Sequence, residues 1–322
     1  MPSRSRGGSA FLGGKQSHQR GVALILVLGM VALIAGWAAT AAYGDMVSLR
    51  RAENLNNSVR AMLAAESGIE LAKLVLMQDV SDSKTDNLSE TWASTTPPFP
   101  IDDGMIIGSI TDANRFFNLN DLVDDTGRVR PKAVEIAKRL FTSLEIDSRL
   151  VDALVDWMDR DDLPTAGGAE QDSYFDRPYR IKNSRMDRLE ELKMVIGFDS
   201  KVFDKLQGSV IVRPPLAGGV TPININTASA VVLAALFPNM SEQAAAQIVA
   251  DRDDTPFTDS ASLINSPSGK GVDSARVTVV SDAFVVRSHA EFASVRWNEE
   301  QLLARQGKRF TLIYRQQEGW NL

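Results

Sequence analysis

The sequence contains no cysteine and only two histidines, His18 and His289. Disulfide scaffolds, thiol nucleophiles and Cys-containing zinc sites are therefore excluded, as is any two-histidine metal centre away from the N-terminal segment. Basic residues are in deficit: 35 Lys and Arg stand against 41 Asp and Glu in 322 residues, a net charge of −6. That balance argues against phosphate-backbone binding as the main activity. Hydrophobic residues at 44% and charged residues at 24% are ordinary values that exclude wholesale disorder, and the length allows two compact domains.

The charge is uneven. Residues 1–21 hold Arg4, Arg6, Lys15 and Arg20 with no acid, a net of +4 that leaves −10 on the remainder. Residues 22–43, VALILVLGMVALIAGWAATAAY, carry no charged side chain. A helix of that length rises about 33 Å, enough to cross a hydrocarbon core of ~30 Å. The basic flank predicts a cytoplasmic N-terminus, with Asp45 and all that follows across the inner membrane, in the periplasm of a Gram-negative cell. A plain signal anchor and a secretory signal peptide are the alternatives, the second disfavoured by an apolar run beyond the usual ~7–15 residues. The junction Gln19-Arg20-Gly21-Val22-Ala23-Leu24-Ile25 resembles a type IV prepilin processing site. That resemblance implies cleavage between Gly21 and Val22 by a prepilin peptidase, with the apolar helix left in place.

From Asp45 to Gln78 there is no proline, and Leu55, Val59, Met62, Leu63, Ile69, Ala72, Val75 and Leu76 recur at three- and four-residue steps. One helix over 22–78 is expected, its first half (22–43) in lipid and its second half packed on a folded domain. Residues 79–104 read as a polar surface loop. Strand signals follow at Met105–Thr111 and, near the C-terminus, at Ala283–Val295, Arg296–Arg305 and Phe310–Tyr314. Helical signals dominate 118–280. The fold class is α+β: a long N-terminal transmembrane helix packed on an antiparallel sheet from 79–117 and 281–322, with a large α-helical domain (118–280) inserted. Closing strands across such an insertion is tolerable because loop-closure cost grows only logarithmically.

The insertion contains a degenerate repeat. Asn118-Leu119-Asn120 opens one half and Asn224-Ile225-Asn226 the other, and Asp-Arg-Asp-Asp recurs at 159–162 and 251–254, at the end of the second helix of each half. Asn side chains there serve as caps and turn formers. The second half, from Ile223 through Leu263, resembles helix-hairpin-helix modules, which raises a membrane-anchored DNA receptor of the competence type as the alternative function. Such modules grip phosphate through a Gly-x-Gly hairpin. Here the hairpin is Phe237-Pro238-Asn239-Met240-Ser241-Glu242, and residues 220–250 contain no Lys or Arg, so no nucleic-acid partner is expected.

The densest polar cluster runs from Asp156 to Asp176, with seven acids against the single Arg160. Either it is a solvated loop or a cation screens it. Hard oxygen donors in a flexible loop suit calcium, which takes 6–8 oxygens. The candidate ligands are Asp159, Asp161, Glu170 and Asp172. The loop is not an EF-hand, because Leu163 and Pro164 stand where a ligand and a glycine are needed. Paired glycosidase-like carboxylates lack any arguable cleft, so the chain reads as a non-enzyme.

These residues together resemble the general secretion pathway protein K (GspK) family of type II secretion minor pseudopilins. The resemblance runs from Gln19–Leu24 through Arg115–Asn120, Asp156–Asp159 and Gly168–Asp172 to Tyr179, Leu189–Leu192 and Asn224–Ala228, with Gln171 inserted before Asp172. It implies a pilin-like domain interrupted by a helical one and calcium near the acidic loop. It also implies a place at the pseudopilus tip with minor pseudopilins I and J, other pseudopilins and secreted substrates as partners. Most pilin-like subunits carry Glu at the fifth mature position; counted from Val22, that residue here is Leu26. A subunit with nothing stacked above it needs no such carboxylate.

Overall fold

The computed structural model describes residues 17–94, 97–215 and 219–321, so most of the leader expected over 1–21 lies outside the described residues. The chain divides into two compact units, Met1–Asn57 and Ser58–Leu322. The sheet and the inserted helices thus belong to one unit, and the division falls inside the first helix.

Helix α1 (Ser17–Asp82) exceeds the expected 22–78 at both ends, since no proline interrupts it. In the first unit its residues 21–43 are all exposed, with a mean hydropathy of 2.6 in the most apolar window, long and apolar enough to cross a membrane. In the second unit it buries Ala61, Ala64, Ala65, Ile69 and Leu76. This corrects the expected stripe: Val59 and Leu63 are exposed, as are Leu71 and Leu74, and smaller residues form the contact. A Cβ at Gly68 would stand 2.3 Å from Ser288 Oγ, so the helix rests directly on the strand below it.

That strand belongs to a five-stranded antiparallel sheet ordered β1-β2-β7-β8-β9: β1 (Phe99–Ile101), β2 (Gly104–Asp112), β7 (Ala283–Phe292), β8 (Val295–Gln306) and β9 (Arg309–Asn321). Ile106 faces Ala290 and Asp112 faces Phe284 across β2 and β7, which brackets the whole insertion. Phe284, Val286 and Leu303 pack with Ile69 and Leu76 under α1. The strand expected to run to Val295 stops at Phe292, because Ala293 turns the chain at a φ of +52°. Residues 79–104 are not all surface loop either. Trp92 is buried edge-on to Phe284 at 5.3 Å, and β1 lies within the segment.

The insertion has its own core, running from Phe117 to Val279. Its helices are α2 (Pro131–Ser143), α3 (Leu150–Met158), α4 (Ser200–Leu206), α5 (Ala230–Leu236), α6 (Glu242–Asp254) and α7 (Ala261–Ile264). Pro131 opens α2 at a position where its missing N–H costs nothing. The repeat is visible as architecture. β3 (Phe117–Asn118) opens the first half and pairs in parallel with β4 (Val210–Ile211), which closes it; β5 (Ile223–Asn224) and β6 (Val277–Thr278) do the same for the second. Asn120 holds both backbone groups of Met186, at 2.8 and 2.9 Å, and Asn226 holds those of Phe257 at the same distances. The Asp-Arg-Asp-Asp motifs are less equivalent: 159–162 follows α3, whereas 251–254 is the last turn of α6.

Candidate metal centre

Apolar residues dominate α3 (LVDALVDWM), which buries it in the insertion core and carries the acidic loop with it. The helix stops at Asp159, whose extended backbone turns the chain away while its N–H still donates to the Val155 carbonyl. The loop is held at several points. Asp156 accepts the Thr165 N–H on both oxygens at 3.2 Å, Asp161 accepts that of Leu163 at 3.0 Å, and the Gly168 N–H donates to the Thr165 carbonyl. A short 3-10 turn, Gln171–Tyr174, then docks the far end. Tyr174 lies 5.6 Å from Trp157, and its hydroxyl accepts the Ile196 N–H.

Three of the four expected ligands meet. Carboxylate oxygens of Asp159, Asp161 and Glu170 all lie within 4.8 Å of one another. Asp159 and Glu170 are buried, at 2% and 7% exposure, while Asp161 is open to solvent. Asp172, one residue beyond the inserted Gln171, is exposed on the 3-10 turn and stays out of the group. Around the cluster, Asp159 Oδ1, Thr165 Oγ1 and both oxygens of Glu170 are buried without a hydrogen-bond partner. Buried oxygens lacking donors are costly. Burial, reinforced by Asp161 and Asp156, pushes the Asp159 carboxyl up to about 7; burial, with Asp156 and Asp159, does the same to Glu170. Orphaned oxygen acceptors and mutually repelling acids, with no nitrogen or sulfur donor among them, fit a hard cation such as calcium.

Two contributors escaped the sequence reading. Asp156 is fully buried beneath the cluster and shapes the loop through Thr165. Gly168 allows that approach, because a Cβ there would fall 1.9 Å from Asp156 Oδ2. The pair Gly167-Gly168 was the available signal.

The other expected sites are simpler. Gly21 and Val22 are exposed within α1. The hairpin between α5 and α6 is present, capped by Ser241, whose Oγ accepts the Ala244 N–H. The cations that approach it from α2 are engaged already: Lys138 pairs with Asp152 at 2.7 Å and Arg139 donates to the Ala235 carbonyl.

Comparison with known proteins places this arrangement. Two family models, both described as type II secretion system protein K, match residues 115–215 and 223–287. The type II secretion system protein K of Pectobacterium carotovorum is 30% identical over 328 residues, spanning 95% of this chain and 98% of that one. The Klebsiella pneumoniae protein of the same name is 28% identical, spanning 92% and 96%. That of Pseudomonas aeruginosa is 34% identical, spanning 68% of each. Among solved structures, the GspK-GspI-GspJ complex from enterotoxigenic Escherichia coli holds a chain similar to this one at a TM-score of 0.71 and 25% identity, over 83% of this chain and 99% of that chain.

Proposed function

The chain belongs to the type II secretion system protein K family and is a minor pseudopilin, and from that premise we propose that it stands at the pseudopilus tip in contact with minor pseudopilins I and J. There it supports pseudopilus assembly and protein export across the outer membrane. The observation that carries the reading is the likeness, over nearly the full length of the solved chain, to a subunit of a three-pseudopilin complex. The two faces of α1 support it. One face is buried on the sheet, while the other leaves Val59, Leu63, Leu71 and Leu74 exposed beyond the membrane-length segment, as a helix does when it is to pack against neighbouring helices.

The remaining parts follow from this role. The apolar stretch of α1 anchors the chain in the inner membrane by a single pass, with the sheet and insertion in the periplasm. A prepilin peptidase cuts between Gly21 and Val22, and Leu26 suits a subunit with none above it. Calcium bound by Asp159, Asp161 and Glu170 neutralises the acidic loop and rigidifies it on α3. The role is mechanical and needs no catalytic group. The DNA-receptor alternative is not favoured, since the hairpin that would grip phosphate contains no glycine, and Lys138 and Arg139 beside it are already engaged.

Co-expression with minor pseudopilins I and J in membranes tests the assembly claim. Recovery of a ternary complex in detergent supports it; failure of the folded chain to retain either partner overturns it. N-terminal sequencing of membrane-extracted protein reads the processing claim, with Val22 as the expected first residue.

A further inference from the structure

A second group of acids gathers far from the acidic loop in sequence. Asp79 lies in the last turns of α1, Asp86 and Glu90 in the segment that follows, and their carboxylate oxygens also lie within 4.8 Å of one another. Asp86 is 1% exposed, and its Oδ1 has no hydrogen-bond partner. The Asp79 side chain is only 10% exposed.

One cation, Arg305 of β8, already reaches this pocket. Its Nε and Nη2 donate to the Ser281 carbonyl at 3.1 and 2.7 Å, Nη2 also pairs with Asp86 Oδ2, and its guanidinium lies over the Phe284 ring at 4.8 Å. Those contacts fix its plane. Nη1 is left 3.6 Å from Asp79 Oδ2, beyond hydrogen-bonding reach. Among the described residues, the donors to Glu90 are neutral: the Trp92 indole N–H at 2.7 Å and the Asn87 amide groups. Three carboxylates against one guanidinium leave two negative charges uncompensated in a largely buried place, at a helix C-terminus whose dipole adds negative potential. Burial, with Glu90 and Asp86 alongside, pushes the Asp79 carboxyl up to about 7.

We propose that Asp79, Asp86 and Glu90 form a second site for a hard divalent cation, calcium by its all-oxygen donor set, separate from the acidic loop. The site would act as a clasp. The Asp86 backbone N–H donates to the Val279 carbonyl, its carbonyl accepts from Asn224, and its carboxylate accepts the Ser281 N–H. A cation there ties the end of α1 to the root of the insertion where the chain returns to the sheet.

The test is calcium stoichiometry by equilibrium dialysis on the full chain in detergent at pH 7.5, with far-UV circular dichroism confirming the fold. A chain carrying Asp159→Asn and Glu170→Gln, which silences the acidic loop, should retain about one ion. Adding Asp79→Asn or Glu90→Gln should remove it, and Glu90→Gln alone should lower the stoichiometry of the otherwise unaltered chain by one. A folded double variant that binds no calcium, or Glu90→Gln binding as much as its parent, overturns the proposal.

Discussion

Glu170 brings two buried oxygens to the acidic loop, and no donor among the described residues answers either of them. Replacing it by Gln keeps the shape and removes the charge, so in a Glu90→Gln background, where only the acidic loop is left to bind, adding E170Q together with D159N should abolish the stabilisation that calcium confers. At about 100 times its Kd a ligand adds about 2.7 kcal/mol, roughly 5 °C or more in midpoint for a domain of this size. Thermal melts with calcium and with chelator read the difference. A calcium shift that D159N and E170Q leave undiminished in that background would mean that the acidic loop does not hold the ion. Gly168→Ala should be as damaging as losing a ligand, because its Cβ meets Asp156; isothermal titration should show calcium affinity lowered at least tenfold. At this scale the sequence was legible in part. Charge density and hard-donor chemistry pointed to Asp159, Asp161 and Glu170, but whether Asp172 joined them depended on where Gln171 sent the backbone, and no side-chain count carries that.

At the scale of elements, α1 combines two incompatible demands on one periodicity. Over Ala61 to Gly68 its sheet-facing side uses alanine and glycine so that the backbone can approach β7, while Val59 and Leu63 lie on the opposite face; Ile69 and Leu76 fill the contact further along. Gly68→Val should therefore overpack the contact and cost about 1–3 kcal/mol, measured by denaturant unfolding of the full chain in detergent. Leu63→Asp and Leu71→Asp lie on the exposed face. They should leave the unfolding midpoint within about 0.5 kcal/mol of the parent while lowering recovery of minor pseudopilins I and J in co-purification. Unchanged recovery would mean that this face is not the one that packs. Hydrophobic periodicity announced the helix and put Ile69, Ala72, Val75 and Leu76 on the sheet, but it misassigned Val59 and Leu63. Leucine outranks alanine as an apolar signal, yet a helix crossing a sheet at close range selects small residues, and that preference arises only from the partner strand.

Over the whole molecule, several buried acids titrate near neutrality when no cation is bound. Asp112 is pushed up to about 6, and Asp79, Asp159 and Glu170 to about 7, burial being the largest cause in each. Their unfolded values lie near 4. Between about pH 4 and 7 the folded chain thus holds protons that the unfolded chain has released, so stability falls as pH rises through that window. Chelator-treated protein should melt at a higher temperature at pH 5 than at pH 7.5, and calcium should reduce or reverse that difference. A chelated chain whose melting rises steadily with pH would contradict these shifts. The architecture itself was largely readable: alternation marked the long strands, and helical signals marked the stretch whose core runs from Phe117 to Val279. The two-residue strands at its ends were not readable, since no periodicity survives in so short a run.

Those short strands bear on how the chain comes to be folded. β2 and β7 are neighbours in the sheet, yet everything from Ala113 to Asp282 is made between them. A chain growing from its N-terminus exposes the unpaired edge of β2 until the entire insertion has emerged. Each half of the insertion, by contrast, is closed by its own parallel pair, Phe117–Asn118 with Val210–Ile211 and Ile223–Asn224 with Val277–Thr278. The halves can therefore shut in turn and shorten the loop that separates β2 from its partner. A product truncated between Thr278 and Ala283 would keep its insertion but lose the strand that covers β2, and aggregation along that edge is its expected fate.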